Sequence, residues 1–366
     1  MDMIDTGNAL ALEIADTPIH DNTVPRAGGN GSVVIRKATT ADARLVSRLF
    51  FETYGNPSHP CADQHRLADL LNTRRLELLV AVDRGRIIGS VAASRLRVSG
   101  VVEAGCMVVA KDCGRFRVAN QLSTRLIEHI SQDPSCHLIT AFARGPSIHR
   151  FLHRHPVVPF RVWGHDGAMN VAMMHREHHV VMIGSNPRAT FFRARPDAAL
   201  DVIERSLGNV SNMQTIAAAR GSRWAAPSLW PANPADSGDQ PASIELDAPP
   251  PGGSSDDALE WIRRESVTNT HIHHQFLFAA FDSPPFVAGL QEQGFRPTAY
   301  LPAWMPDGDV RRDCVLMVKR HALLSCVTRG FDRSIDAWDR RLERHLGYGR
   351  QRSAECDRTG SADAWI

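Results

Sequence analysis

The sequence predicts an α/β fold in which a mixed central sheet is flanked by helices, followed by a second, smaller α/β unit. Short runs rich in Val, Ile and Leu alternate with segments of helical periodicity, and this pattern restarts after a Pro/Gly-rich loop at 225–255. The 366 residues, 43% of them hydrophobic, suffice for two cores. We therefore expect a disordered arm at 1–31, a first domain at 32–183, a partial second domain at 184–323, and a C-terminal helix with a flexible tail at 324–366.

The first domain opens with a β-branched strand, and a Thr or Asp near residue 40 is suited to cap the helix that follows. A hairpin is indicated where two apolar runs flank the Asp83–Arg86 turn. A helix with Leu122, Leu126 and Ile130 on one stripe is expected to pack on the sheet. The elements expected are, in order, strand 33–36, a helix ending near Tyr54, helix 62–74, strands 78–83 and 86–94, a strand ending at Val109, helix 118–130, strand 138–143 and helix 146–153.

The second unit repeats a helix, a glycine stop and a pair of strands. Phe286 begins an apolar helix that ends at Gly294, and two strands follow around the turn at 305–309. Its other elements are predicted as helix 197–207, strand 243–246, helix 256–265 and strand 275–281. The tail from Gly330 reads as one charged amphipathic helix.

Composition excludes several classes of protein. The 42 basic residues nearly balance the 40 acidic ones, so neither nucleic acid nor an anionic membrane is expected as a partner. Seven scattered cysteines without a C-x-x-C pair indicate reduced thiols in the cytoplasm rather than disulfides or a zinc knuckle. We find no leader and no apolar run of membrane-spanning length, so secretion and insertion are not expected.

The residues from Glu103 to Leu122 are predicted to form a buried strand, a basic turn and the start of an amphipathic helix. A helix start leaves backbone N–H groups without partners and adds partial positive charge, so it suits a phosphate or pyrophosphate. Arg115 and Arg117 would reinforce this anion site. The alternative is a solvated basic turn before a core-packing helix.

This order of elements, the opening at 33–42, the hairpin with Ile88–Gly89 and the strand–turn–helix resemble the GCN5-related N-acetyltransferase superfamily over residues 33 to about 182. The resemblance implies that acetyl-coenzyme A binds between the fourth and fifth strands, with Met107 and Val109 beside the pantetheine. The usual pyrophosphate motif matches only at Ala119, since Gly114 and Arg117 stand at its other two positions. The coenzyme-binding residues expected are Met107, Val108, Val109, Gly114, Arg115, Phe116, Arg117, Val118, Ala119 and Asn120.

Catalysis in this family needs a base for the substrate ammonium and an acid for the departing thiolate. Glu103 is the only acidic residue on the fourth strand, and strict alternation would place it on one face with Gly105, Met107 and Val109. A partly buried carboxylate has a raised pKa, which suits a base; a strand-edge glutamate facing solvent is the alternative. The tyrosine often found on the family's last helix is absent, so His149 or His153 is expected as the acid. Tyr54 lies where the family walls the acceptor pocket.

The function expected is direct transfer of an acetyl or short acyl group from acyl-coenzyme A to a primary amine of a small molecule in a ternary complex. An acyl-cysteine route through Cys106 or Cys113 is the chemical alternative, and a non-catalytic acyl-coenzyme A or metabolite sensor is the functional one. His271 and His273 alternate in a strand, but no third ligand is evident, so we expect no metal. The second unit, which has no phosphate turn of its own, is expected to cover the acceptor side or to hold a homodimer together.

Overall fold

The computed structural model describes residues 22–25, 32–55, 59–96, 98–143, 152, 155–166, 171–172, 175–177, 179–194, 215–216, 242–245, 255–268, 272–280, 284–320, 326–327 and 340. The predicted mixed sheet flanked by helices is confirmed. The helices expected at 146–153 and 197–207 and the C-terminal helix lie outside the described residues, apart from Leu152 and Arg340. Within the described part of the chain, no helix is long and apolar enough to cross a membrane.

Within the described residues, fourteen strands form one sheet, which includes strands from both halves of the chain. Its strands are β1 (Asn22–Pro25), β2 (Ser32–Lys37), β3 (Leu76–Asp83), β4 (Arg86–Arg95), β5 (Val101–Val109), β6 (Leu138–Ala143), β7 (Arg161–His165), β10 (Val180–Ser185), β11 (Phe192–Ala194), β12 (Thr215–Ile216), β13 (Ala242–Glu245), β14 (Ile272–Ala280), β15 (Arg296–Asp307) and β16 (Val310–Arg320). A separate three-stranded sheet contains β8 (Val171–Ala172), β9 (His175–Glu177) and β17 (Cys326–Val327).

Five helices are described: α1 (Ala43–Tyr54), α2 (Gln64–Asn72), α3 (Arg115–Ile130), α4 (Ser255–Thr268) and α5 (Pro284–Glu292). The turn just before α1 is held by Asp42, which accepts hydrogen bonds from the Thr39 N–H at 2.8 Å and from Arg36 Nη1 at 2.8 Å. Gly55 ends α1 in the left-handed conformation, with φ 66°. These local interactions explain why α1 could be predicted from its sequence.

The arm predicted for residues 1–31 needs correction at one place. Asn22–Pro25 form β1, which pairs antiparallel with β2 from Asn22↔Ile35 to Pro25↔Ser32. The polar composition of the segment predicted little burial, but backbone hydrogen bonds to an open sheet edge do not require apolar side chains.

Three cores lie on the two faces of the sheet. The core under α3 contains Val102, Val109 and Leu122, and the core under α1 and α2 contains Phe50, Leu78 and Val108. The third core joins both halves, because it includes Val101 and Ile183 from the first and Phe286, Tyr300 and Met317 from the second.

The two halves meet where β7 pairs antiparallel with β15, at Gly164↔Ala299. A Cβ on Gly164 would lie 2.2 Å from the Thr298 carbonyl oxygen, so only glycine permits this approach. The strand order is repeated on the two sides of this junction between β7 and β15. In the first half the order is β5–β6–β10–β7, and in the second half it is β13–β14–β16–β15. In each set the first pair is parallel and the next two pairs are antiparallel.

Arg311 binds the two halves together across this region. Its guanidinium donates to the carbonyl oxygens of Ala303 at 2.6 Å and Ser99 at 2.8 Å. Since Ser99 lies two residues before β5, the second half is bonded to the chain next to the strand that carries Glu103.

Candidate active site

A wedge opens in the sheet between β5 and β6. The two strands pair in parallel only from Val101↔Leu138 to Glu103↔Thr140. Beyond that point β5 remains bonded to β4 as far as Val109, while β6 remains bonded to β10 as far as Ala143. The facing edges therefore present backbone N–H and C=O groups to the space between them, where an extended amide-containing chain can bind.

A β-bulge at Cys106 changes the direction of the β5 side chains. The register with β4 shifts between Ser90↔Val108 and Ala92↔Gly105, and Cys106 has φ 50°. Ala104 and Met107 pack against the α3 core, whereas Cys106 packs against the core under α1 and α2. The predicted alternation was therefore wrong beyond Gly105: Glu103 shares its face with Gly105 and Cys106, and Met107 and Val109 lie on the opposite face.

Glu103 lies at the closed end of the wedge, opposite Thr140. Its side chain is partly buried, and this burial raises its pKa to about 7, although the charge of His59 works in the opposite direction. The carboxyl lies against Gly105, since a Cβ built on that glycine would be 3.2 Å from Glu103 Oε1. A carboxyl group with this pKa can both take and release a proton near neutral pH.

Tyr54 connects the end of α1 to the bulge. Its hydroxyl donates a hydrogen bond of 2.5 Å to the carbonyl oxygen of Met107. Its ring stacks on Phe50 at 5.8 Å and on His59 at 6.0 Å between centroids. Tyr54 therefore lies beside the bulge, and its hydroxyl is already bonded to the backbone.

His59 was missed by the sequence analysis, although it faces both Glu103 and Cys106. The Cys61 N–H donates to His59 Nδ1 at 3.1 Å, so the neutral ring carries its proton on Nε2. Stacking on Phe50 at 4.9 Å holds the ring in place. The tertiary structure brings His59 to β5, and its position in the sequence carries no signal of that contact.

The Cys106 thiol lies in the same cluster. Its hydrogen bond with Cys61 and its burial raise the pKa of Cys106 well above its usual range, although His59 works in the opposite direction. A nucleophilic cysteine needs the reverse shift, because the thiolate is the reactive form. Cys113 also has a raised pKa, through burial and the nearby charge of Asp112. Neither thiol has the electrostatics that an acyl-cysteine route requires.

The predicted anion site lies at the start of α3, which begins three residues earlier than expected. The first hydrogen bonds of the helix run from the Arg117 and Val118 N–H groups to the Gly114 carbonyl, at 3.0 and 3.2 Å. The first turn contains no acidic residue that would neutralise the positive end of the helix. Of Arg115 and Phe116 only the backbone is described.

The described side chains of the first turns of α3 differ in exposure. Arg117 and Asn120 are exposed, Ala119 is partly buried, and Val118 is buried against the sheet. A Cβ on Gly89 would lie 3.2 Å from Val118 Cγ1 and 3.0 Å from Leu122 Cδ1, so glycine lets α3 approach β4 closely. A Cβ on Gly114 would meet nothing within 4 Å, so this position lies in open space.

The histidines expected as general acid, His149 and His153, lie outside the described residues. His155 is described and buried; its Nδ1 accepts the N–H groups of Val157 at 3.3 Å and Val158 at 3.2 Å, and burial lowers its pKa. Among the described residues, no group of three or more His, Cys, Asp or Glu side chains could hold a metal ion.

Comparison with solved structures finds acetyltransferases. Ribosomal-protein-S5-alanine acetyltransferase from Vibrio fischeri is 15% identical, with 46% of this chain and 98% of that chain covered and a TM-score of 0.36. Ribosomal-protein-alanine N-acetyltransferase from Brucella melitensis is 18% identical, with 41% and 98% covered and a TM-score of 0.34. A GNAT superfamily phosphinothricin acetyltransferase from Sinorhizobium meliloti, solved in complex with AcCoA, is 16% identical, with 42% and 89% covered and a TM-score of 0.36.

No protein-family profile matches the chain. No curated protein matches it either.

Proposed function

We propose that the protein is an N-acyltransferase that moves an acetyl or short acyl group from acyl-coenzyme A to a primary amine of a small molecule. The observation that carries this proposal is the wedge between β5 and β6, which opens beside Glu103, a carboxyl group with a pKa of about 7. An acyl donor in the wedge and an amine over the Glu103 face would meet at the bulge.

Two regions of the site are suited to bind acyl-coenzyme A. The open edges of β5 and β6 offer hydrogen bonds to the amides of a pantetheine arm, with Met107, Val108 and Val109 along its path. Beyond Val109, the backbone N–H groups at the start of α3 and the exposed Arg117 would bind the pyrophosphate. Because Tyr54 occupies the Met107 carbonyl oxygen, that group is held in one orientation next to the reacting atoms.

The transfer would proceed directly. Glu103 takes one proton from the substrate ammonium, and the freed lone pair attacks the thioester carbonyl carbon. When the tetrahedral intermediate collapses, the C–S bond breaks and the sulfur leaves with the bonding electrons. The sulfur receives the second nitrogen proton, so that an amide and a free thiol form, and Glu103 later releases its proton to solvent.

The second half would act as a wall rather than as a second enzyme. Its pairing order repeats that of the first half, which supports a tandem origin, with boundaries near 32–183 and 184–323. The core it shares with the first half includes Val101 and packs against Phe142, on the face of the sheet that carries Glu103. We therefore place acceptor selection partly in the second half.

One observation favours a non-catalytic acyl-coenzyme A sensor. The Tyr54 hydroxyl donates to the Met107 carbonyl oxygen, so it is not available to protonate a departing thiolate. A sensor would keep the wedge and the helix start but lose turnover.

Two measurements on the full chain separate these functions. Calorimetry with acetyl-coenzyme A measures binding, and a thiol-reactive dye measures coenzyme A release in the presence of a panel of primary amines. Binding with amine-dependent release of thiol supports the transferase, and binding without release on any amine supports the sensor. The absence of binding would overturn both.

A further inference from the structure

A cleft on the α3 face of the sheet lies apart from the wedge. It is a shallow cleft, open in part to solvent, and lies between the end of α2, the end of α3 and strands β3 to β5. Its floor is apolar, formed by Ala93, Val102 and Ile130. Val102 precedes Glu103 on β5 but points to the other side of the sheet, so the cleft and the candidate active site are separated by the sheet itself.

Charged groups form the walls of this cleft. Three guanidinium groups, of Arg74, Arg75 and Arg95, face two carboxylates, of Glu77 and Asp133. Both carboxylates already have partners within the protein. The cleft therefore contains more positive charge than its own carboxylates neutralise.

Glu77 and Asp133 are each held by their own donors. His129 Nε2 lies 2.8 Å from Glu77 Oε2, and Lys37 Nζ lies 3.7 Å from the same oxygen. Asp133 pairs with Arg95 and accepts the Ser135 N–H at 2.8 Å. Within the described residues, no ion pair is found for Arg74 or Arg75, and both side chains are exposed at the rim.

Arg74 adopts a conformation that arginine normally avoids. Helix α2 ends in a Schellman motif, in which the Arg75 N–H bonds to the Leu70 carbonyl at 3.1 Å and the Arg74 N–H to the Leu71 carbonyl at 3.2 Å. The residue after the helix in this motif is usually glycine, because its φ is positive, and Arg74 has φ 54°. A positive charge near a helix C-terminus is stabilising, but an exposed arginine anywhere in the last turn would give this stabilisation without backbone strain.

We propose that the cleft is a binding site for a phosphate-type oxyanion, either free or as the phosphoryl group of a small monoester. The guanidinium groups of Arg74 and Arg75 bind the anion at the rim, since paired arginines present forks of donors that match phosphate oxygens. Arg74, in its strained backbone conformation, lines the cleft, and the proposed site gives that strain a function.

Arg74→Gly tests this site without harming the fold, because glycine suits φ 54° and the substitution removes only the guanidinium. Arg84→Gly is the matched control: Arg84 also has positive φ, 50°, in the hairpin turn between β3 and β4, but it does not line the cleft. Arg75→Gln removes the second guanidinium at a position with no such strain.

Inorganic phosphate is titrated into the wild type and the three variants at constant ionic strength, with amide NMR shifts as the readout. We expect saturable shifts at Arg75, Ala93 and Val102 in the wild type and in Arg84→Gly, and affinity at least about tenfold weaker in Arg74→Gly and Arg75→Gln. A parallel titration with methyl phosphate decides whether the cleft takes a monoester as well as the free ion.

Shifts that do not saturate, or that persist unchanged in Arg74→Gly, would overturn the proposal. Shifts confined to the start of α3 would do the same, because they would report the anion site of the proposed coenzyme pocket. This result is independent of acyl transfer, since the titration contains neither coenzyme nor amine.

Discussion

The Glu103 carboxyl lies against the bare backbone of Gly105, two residues further along β5, at a distance that leaves little room for a side chain. A Cβ on Gly105 would be 3.2 Å from Glu103 Oε1. Gly105 does not have a positive φ, so its backbone conformation does not require glycine. Glycine is required because a side chain here would crowd the Glu103 carboxyl group. This relationship connects the local backbone to the position of the proposed base.

We expect Gly105→Ala to displace the carboxyl by a few tenths of an ångström while the strand remains intact. Because transfer depends on the geometry of the base, kcat/KM should fall by roughly tenfold, with unchanged affinity for acetyl-coenzyme A. The measurement is steady-state kinetics combined with calorimetry. In a Glu103→Gln background the same alanine should have no further effect on kcat/KM; an additive loss would show that Gly105 acts elsewhere.

Glu103→Gln should lower kcat/KM by about 10² to 10⁴ and leave coenzyme binding intact. The base must be ionised, so wild-type kcat/KM should decrease as pH falls through about 7. An acid limb near the usual glutamate pKa would contradict this role for Glu103.

The same substitution should stabilise the fold at high pH. Burial raises the pKa of Glu103 from 4.5 in the unfolded chain to about 7 in the folded protein. Ionising Glu103 therefore lowers the free energy of unfolding. This loss is absent below pH 4.5, grows as pH rises and is complete above about pH 7. Glu103→Gln should therefore raise the free energy of unfolding by roughly 1–2 kcal/mol at pH 8, and have little effect at pH 4. Glu52→Gln, at an exposed position of α1, serves as the control in urea unfolding.

Tyr54→Phe removes the hydroxyl that donates to Met107 and retains the ring. The lost hydrogen bond should cost about 0.5–1.5 kcal/mol of stability and raise the KM for acyl-coenzyme A, because the Met107 carbonyl is no longer held. Tyr54→Leu also loses stacking on Phe50 and His59, and should be less stable still. Equal stability and KM in Tyr54→Phe and wild type would exclude this role of the hydroxyl.

Cys106→Ala should retain turnover, because a thiol whose pKa is raised well above its usual range does not act as a nucleophile. Mass spectrometry of enzyme incubated with acetyl-coenzyme A should find no acyl adduct on Cys106. Cys106→Gly, which relieves φ 50°, should be no less stable than Cys106→Ala. An adduct that disappears in Cys106→Ala, together with activity, would establish a two-step route instead.

Asp42→Asn should destabilise the protein by roughly 1–2 kcal/mol at pH 7. Hydrogen bonds from Arg36 are the largest cause that lowers the pKa of Asp42 to about 2, from 3.8. Because the folded pKa is the lower one, this stabilisation is complete above pH 4 and lost as pH falls through 2. Denaturation of the variant and the wild type at several pH values measures this, with Asp69→Asn on exposed α2 as control. A constant difference down to pH 2 would exclude the ion pair as its source.

The sequence was informative wherever the structure is local. The hairpin at Asp83–Arg86 and the end of α1 at Gly55 depend on residues within a few positions of one another, so their patterns predicted them. The proposed base was identified by type, since Glu103 is the only acid of its strand. The same pattern misled at Cys106, because a run of small apolar residues looks alike with or without a bulge.

By itself, the sequence determined the strands and helices between residues 33 and 143, where a helix start follows a buried strand, and which carboxylate lies on that strand. Only the tertiary structure decided that β5 and β6 separate after Glu103, that His59 returns to face that carboxylate, and that Gly164 admits β15 to the sheet. The physical reason is range: hydrogen-bonding patterns and side-chain periodicity act between neighbours, whereas burial, pKa shifts and strand separation depend on residues brought together from distant parts of the chain.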